Sequence, residues 1–278
     1  MIVFPNCKIN LGLSVQNKRS DGFHNLATVF YPIPLKDAIE LIKTPQISGS
    51  SIQFSQSGLS IPGDLSSNLC IKAYNLLQND FPELSSVQLH LHKVIPMGAG
   101  LGGGSADAAF TLQLLNKVLQ LQLTEEKLAD YALQLGSDCP FFLYNMPCLA
   151  TGRGEILKPL SIDLTGYQFI LLHPGINVHT GMAFSALNRT ENYVSNEILD
   201  SIIAQPIETW KAQLHNDFEE PVFQMHPNIA QMKQMLYSMG ALYASMSGSG
   251  STVFGIFPKG YQVQVEETSG YFVYTCTL

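Results

Sequence analysis

The chain has 278 residues, 46% hydrophobic and 13% charged, with 15 Lys+Arg against 22 Asp+Glu and a formal net charge of -7. That balance excludes a disordered chain and a general nucleic-acid binder, which needs surplus cations to neutralise phosphates. The five cysteines (Cys7, Cys70, Cys139, Cys148, Cys276) never fall in C-x-x-C spacing, so reduced thiols packed as small apolar residues are expected, without a disulfide framework.

The opening "MIVFPNCKIN" has no basic region followed by a long apolar stretch, and no apolar run approaches the roughly 20 residues of a spanning helix. A cytoplasmic protein without a membrane partner is therefore expected. At about one domain per 150 residues the length predicts two domains, divided here at residues 1–158 and 159–278.

In chain order, "KINLGLSVQ" alternates Ile9, Leu11, Leu13 and Val15 with smaller or polar residues, the pattern of a half-buried strand. Asp21-Gly22 is a turn signal, and "LATVFYPI" reads as a second strand. "NLCIKAYNLL" places Leu69, Ala73, Leu76 and Leu77 at helical spacing. "VQLHLHKVIP" is a strand with Val87, Leu89 and Leu91 on one face and Gln88, His90 and His92 on the other. The two histidines have no third ligand nearby and read as a solvated face.

A helix follows the glycine run, with Ala108, Leu112, Leu115 and Leu119 on one face. "TEEKLADYALQLG" is another, with Thr124 as N-cap, acids in its first turn, and Gly136 past its end. Residues 152–164 read as a boundary, and "YQFILLHPG" as a buried strand. A helical stretch from Asn196 to about Phe223 is interrupted at Pro206, and "NIAQMKQMLYSMG" is a helix with Ile229, Met232, Leu236 and Met239 inward. "ALYASMSGSGSTVFGIF" reads as strand, glycine turn, strand. Helices and strands mix without strict alternation, which predicts an α+β fold in two domains.

The chemistry concentrates in "IPMGAGLGGGSADAA", residues 95–109, which holds five glycines between Gly98 and Gly104. Strand, glycines, helix N-terminus is a phosphate-binding order: the first N–H groups of the helix are unpaired and partly positive, and glycine lets an anion approach the backbone. Gly98, Gly100 and Gly103 satisfy G-x-G-x-x-G, but the region about 20 residues on, where a dinucleotide fold needs an acid ending a strand, is helical. Gly98 and Gly103 have Walker A spacing, but Gly104 stands where lysine is required. A protein-kinase glycine loop joins two strands, whereas this one opens a helix.

"PMGAGLGGGSADAA" resembles the phosphate loop of the GHMP small-molecule kinases, in which a serine follows the glycines. "CKINLGL", "RSDGFHNL", "LGSDCPFF", "GRGE", "HPGINVHTGMAF", "NDFE" and "SGSGSTVFG" occur in the order of one branch of that family, from about Cys7 to Phe257. That branch phosphorylates a cytidine diphosphate conjugate of methylerythritol.

The resemblance implies an N-terminal ribosomal-protein-S5-domain-2-like ATP-binding domain and a smaller ferredoxin-like C-terminal domain, with the site in the cleft between them. It implies a catalytic pair, Lys8 and Asp138: the aspartate as base toward the acceptor hydroxyl, the lysine holding it ionised and sharing the developing charge. Pro96, Met97, Gly98, Ala99, Gly100, Leu101, Gly102, Gly103, Gly104, Ser105 and Ala106 would embrace the ATP phosphates, Ser105 near Mg²⁺. Asn68 and Lys93 would line the nucleotide pocket. Without a dedicated metal cage, Mg²⁺ would arrive with the ATP.

Phe23 and Phe184 would stack on cytosine, His24 would hydrogen-bond its edge, and Asn10 and Thr180 would meet the methylerythritol or phosphate portion. Many members have tyrosine where this chain has Phe23, and the segment after Phe257 is short for the family's last helix. "SGSGSTVFG" resembles the motif that supports the phosphate loop, and equally reads as a glycine hairpin. Rival readings are a sister kinase acting on homoserine or mevalonate, and a non-catalytic or dinucleotide-binding module. The oligomeric state, monomer or homodimer, is left open.

Overall fold

The computed structural model describes residues 1–45, 51–187, 196–261 and 270–278. The first half contains β1 (Ile2–Val3), β2 (Asn6–Lys18), β3 (His24–Lys36), β4 (Ala38–Lys43), β5 (Ile52–Gly58), α1 (Leu69–Asp80), β6 (Val87–Lys93), α2 (Gly103–Leu119), α3 (Glu125–Leu135) and α4 (Cys139–Tyr144). There follow β7 (Cys148–Thr151), β8 (Ile156–Pro159), β9 (Gln168–His173), α5 (Thr180–Ser185), α6 (Asn196–Ile203), α7 (Trp210–Gln213), α8 (Glu219–Met225) and α9 (Pro227–Ser238). The chain closes with β10 (Tyr243–Met246), β11 (Val253–Phe257) and β12 (Phe272–Thr277).

The described chain forms two compact units. The first comprises Met1–Cys7, Pro34–Met97 and Gly102–Asn145. Its sheet runs β1-β4-β6-β5, antiparallel except for the parallel β5–β6 pair. Val87, Leu89 and Leu91 of β6 are buried in one core with Cys70, Ala73, Tyr74 and Leu77 of α1 and with Ala108, Leu112 and Leu115 of α2. Each such leucine contributes about 1.5–3 kcal/mol by leaving water.

Thr124, read from the sequence as an N-cap, is one: its Oγ1 accepts from Lys127 N at 3.3 Å. Asn68, not read as a cap, also acts as one, its Oδ1 accepting from Cys70 N at 2.9 Å, and each is worth about 1 kcal/mol. Gly136 ends α3.

The second unit comprises Lys8–Ile33, Gly98–Leu101 and Met146–Leu278. It holds two sheets, ordered β2-β3-β7-β8 and β10-β11-β9-β12. β9 pairs antiparallel with both β11 and β12, and Leu172 faces Val253 on one side and Val273 on the other. Ile229, Met232 and Leu236 of α9 are buried in its core with Ile170 and Leu172 of β9.

The packing units thus interleave along the chain, whereas the sequence reading divides it once, after residue 158. Lys158 itself lies within β8, and residues 152–164, read as a boundary, include β8 and the turn that joins it to β7. The stretch looked empty because β8 is an edge strand whose Ile156 is exposed.

The predicted long helix from Asn196 is also broken a second time, between α7 and α8. There the backbone leaves the helix to pair with β2: Leu13 N donates to His215 O at 2.8 Å and Asp217 N donates to Leu13 O at 2.9 Å. The closing segment contributes a strand, β12, among its described residues.

Candidate active site

The glycine run connects β6 to α2. Gly100 has φ +75°, and a Cβ there would lie 2.0 Å from the carbonyl oxygen of Ser247, so both its conformation and its surroundings require glycine. Ser247 Oγ donates to Gly100 O at 2.8 Å, and Thr252 N donates to Ala99 O at 3.1 Å. The "SGSGSTVFG" hairpin therefore holds residues 99 and 100 of the loop directly.

Helix α2 starts on Gly102, which is left-handed and supplies no side-chain cap, and no acidic residue lies in its first turn. A Cβ on Gly104 would meet only Leu69 Cδ1, at 3.9 Å. An uncapped helix N-terminus with open space over its second residue fits a phosphate. Ser105, in the same turn, hydrogen-bonds the Cys139 thiol, opposing the burial that pushes that thiol up to about 12.

That contact places Ser105 beside the residue that follows Asp138. Asp138 is half-buried and occupies the N-cap position of α4 in a right-handed helical conformation, and its side chain makes no capping hydrogen bond. Cys139 N donates to Gly136 O at 3.1 Å, which closes the turn carrying it.

In the second unit, Lys8 on β2 is 3% exposed. Its Nζ donates to Asn10 Oδ1 at 2.5 Å and lies 4.6 Å from the Phe30 ring centroid. Its backbone N–H donates to Leu101 O at 3.0 Å, which ties the strand to the glycine run. Asn10 Nδ2 donates to Thr28 Oγ1 at 2.9 Å and Asn10 N donates to Ser247 Oγ at 3.3 Å. Lys8, Asn10, the loop and the hairpin are thus one hydrogen-bonded group.

The residues read as a cytosine site gather in the same unit. His24 and Phe184 stack with ring centroids 5.0 Å apart, and Phe184 meets Phe218 edge-on at 4.8 Å. Phe23 is 54% exposed, and the Arg153 guanidinium lies 4.9 Å from its ring centroid. Thr180 opens α5 with its hydroxyl 2.9 Å from that of Ser249.

The two residues expected to line the nucleotide pocket each have structural contacts. Asn68 spends its carbonyl on the α1 cap. Lys93 is fully buried between Asp37 and Asp107, at 2.5 and 2.7 Å, and lines no surface. Sequence reasoning did not find Asp37, Asp107, Arg153 or Asn216. "NDFE" and "GRGE" marked the last two as motif members without a role, and "LKDAI" carried no signal for Asp37. Among the described residues no three His, Cys, Asp or Glu side chains gather into a metal site, and no helix is long and apolar enough to cross a membrane.

Two family models match the chain: the GHMP kinases N terminal domain over residues 68–146 and the GHMP kinases C terminal over residues 198–268. Fold and glycine loop therefore define the class, a GHMP kinase with that group's two-domain α+β architecture. A 4-diphosphocytidyl-2-C-methyl-D-erythritol kinase of Bacteroides fragilis is 51% identical over 257 residues, 92% of each chain. One of Cytophaga hutchinsonii is 48% identical over 270 residues, 97% of each chain.

A crystal structure of 4-(cytidine 5'-diphospho)-2C-methyl-D-erythritol kinase matches with a TM-score of 0.79 and 32% identity, covering 92% of this chain and 90% of that one. The chain belongs to the 4-diphosphocytidyl-2-C-methyl-D-erythritol kinase family.

Proposed function

We infer that the protein transfers the γ-phosphoryl group of ATP to the 2-hydroxyl of 4-diphosphocytidyl-2-C-methyl-D-erythritol, a step of the non-mevalonate route to isoprenoid precursors. The observation that carries the donor side is the uncapped N-terminus of α2, open above Gly104 and reached through the glycine run. The acceptor rests on the kinship with relatives named for that substrate.

In this reading the backbone amides at the start of α2 hold the phosphates, and Ser105 would meet the magnesium ion that accompanies them. When bound, that ion would neutralise charge on the phosphate oxygens. Asp138, on the turn that opens α4, accepts the proton of the acceptor hydroxyl. Lys8, its Nζ held by Asn10, stabilises the charge that develops on transfer.

Phe23, His24 and Phe184 take the cytosine. Base stacking is worth about 1–3 kcal/mol per base, so Phe184→Ala raises KM for the acceptor and leaves KM for ATP alone. Asp138→Asn lowers kcat by about 10²–10⁴-fold.

The deciding experiment is ADP release from Mg·ATP with 4-diphosphocytidyl-2-C-methyl-D-erythritol, homoserine or mevalonate as acceptor. Stimulation by the first alone is expected. Equal stimulation by another alcohol would move the reading to a sister kinase, and Asp138→Asn at the unmodified rate would remove the base assignment.

A further inference from the structure

The first unit contains a charged cluster with no part in the chemistry above. Asp37 sits at the β3–β4 junction, 1% exposed. Its Oδ1 accepts from the backbone N–H groups of Val94 and Ile95, at 2.5 and 2.9 Å, and its Oδ2 accepts from Lys93 Nζ at 2.5 Å. Lys93 Nζ also donates to Oδ2 of Asp107, in the second turn of α2, at 2.7 Å. A Cβ on Gly103, the first residue of α2, would come within 3.0 Å of that Nζ and 2.8 Å of Ile95 Cγ2.

We propose that Asp37, Lys93 and Asp107 are positioning residues for the phosphate donor, clamping the start of the glycine loop to the first turns of α2 and fixing where its uncapped amides point. Stability alone is a poor reason for such a cluster. A buried ion triad gains little over well-packed apolar side chains, because desolvation offsets the Coulomb attraction. One oxygen, Asp107 Oδ1, is even left buried without a hydrogen-bond partner. What the triad does supply is geometry, since a short charged contact has one arrangement whereas an apolar patch tolerates several.

Two of its contacts act on the backbone immediately after β6, and a third reaches the helix five residues into α2. Together they bracket the loop. A helix N-terminus misaimed by an ångström loses much of its value to a bound anion.

The inference rests on the reading of this loop as the ATP site, and the experiment separates the two. The dissociation constant of a non-hydrolysable ATP analogue is measured by calorimetry for the unmodified protein, Asp107→Asn, Asp107→Ala and the Lys93→Met/Asp107→Leu double variant. KM for both substrates and the urea midpoint are measured alongside.

The two disrupting variants should bind the analogue at least about tenfold more weakly, with KM for the acceptor unchanged. Asp107→Asn keeps an acceptor for Lys93 and should stay within about threefold. If the double variant does not fold, Asp107→Ala decides, because it detaches α2 while leaving Lys93 on Asp37. A lowered urea midpoint with unmodified analogue affinity in a folded disrupting variant would mean a purely structural cluster and overturn the proposal. An unmodified protein that does not bind the analogue would overturn the ATP reading itself, and this inference with it.

Discussion

Asp107 shows how one residue's surroundings reach a measurable property. Burial, the largest influence, and the nearby Asp37 push its carboxyl up to about 7, against the pull of Lys93. The folded protein therefore binds a proton here that the unfolded chain, with an ordinary aspartate near 3.8, has already released. Where the folded state binds more protons, stability falls as pH rises. This group thus favours the folded state most below pH ~4, loses that contribution between ~4 and ~7, and changes nothing above. Asp107→Asn carries no titrating proton and abolishes the slope. Urea unfolding from pH 4 to 8 should show the variant gaining on the unmodified protein up to about pH 7 and running parallel beyond it. Parallel curves over the whole range would mean that Asp107 is an ordinary carboxylate.

At the scale of the element, α2 separates two kinds of glycine. Gly100→Ala would be strained twice, by φ +75° and by the Ser247 carbonyl, and should destabilise the fold. Gly104 lies inside the helix with only Leu69 Cδ1 near, so Gly104→Ala should stabilise it by about 0.5–1 kcal/mol. If a phosphate approaches that position, the same methyl group obstructs it. A raised melting temperature together with a raised KM for ATP is the expected signature, and an unchanged KM would move the phosphates away from Gly104. The elements legible in the sequence were those whose pattern is local: α3 with its side-chain cap, α1, α2 and α9 with their apolar faces, and β6 with strict alternation. The break between α7 and α8 was not legible, because Asn216 and Asp217 leave the helix for partners elsewhere in the chain. Asp37 was invisible for the same reason, since Lys93 and Val94 lie 56 and 57 residues further on. Lys8 and Asp138 became a pair only through the family resemblance, as no spacing rule links a strand lysine to a loop aspartate 130 residues away.

At the scale of the whole chain, distant segments meet in the second unit on buried polar side chains. Asn216 is 3% exposed, and its Nδ2 donates to Met246 O at 2.7 Å and Gly248 O at 2.8 Å, while its Oδ1 accepts from Phe218 N at 3.0 Å. Asp217 Oδ2 accepts from Val15 N at 2.7 Å, and Glu219 Oε1 from Met246 N at 2.8 Å. The "NDFE" motif therefore ties β2 to the hairpin that grips Gly100, and Ser247 lies between the two carbonyls that Asn216 holds. Removing the amide takes a donor from two buried carbonyls and the acceptor from the Phe218 N–H, leaving Met246 O only the 3.4 Å contact from Ser245 Oγ; an unsatisfied buried group costs about 1–3 kcal/mol. Asn216→Ala should lose roughly 3 kcal/mol, a fall in Tm on the order of 6–12 °C for a chain of this size. KM for ATP should rise with it, because the hairpin loosens under the loop. Asn216→Asp is the sharper test. Its carboxylate can still accept from Phe218 but turns a negative charge toward two carbonyl oxygens, so it should be at least as damaging as alanine, although it differs from asparagine by a single group. An aspartate variant as stable as the unmodified protein would mean that these two donated hydrogen bonds do not hold the hairpin, and that the backbone pairing of β10 with β11 suffices to hold it.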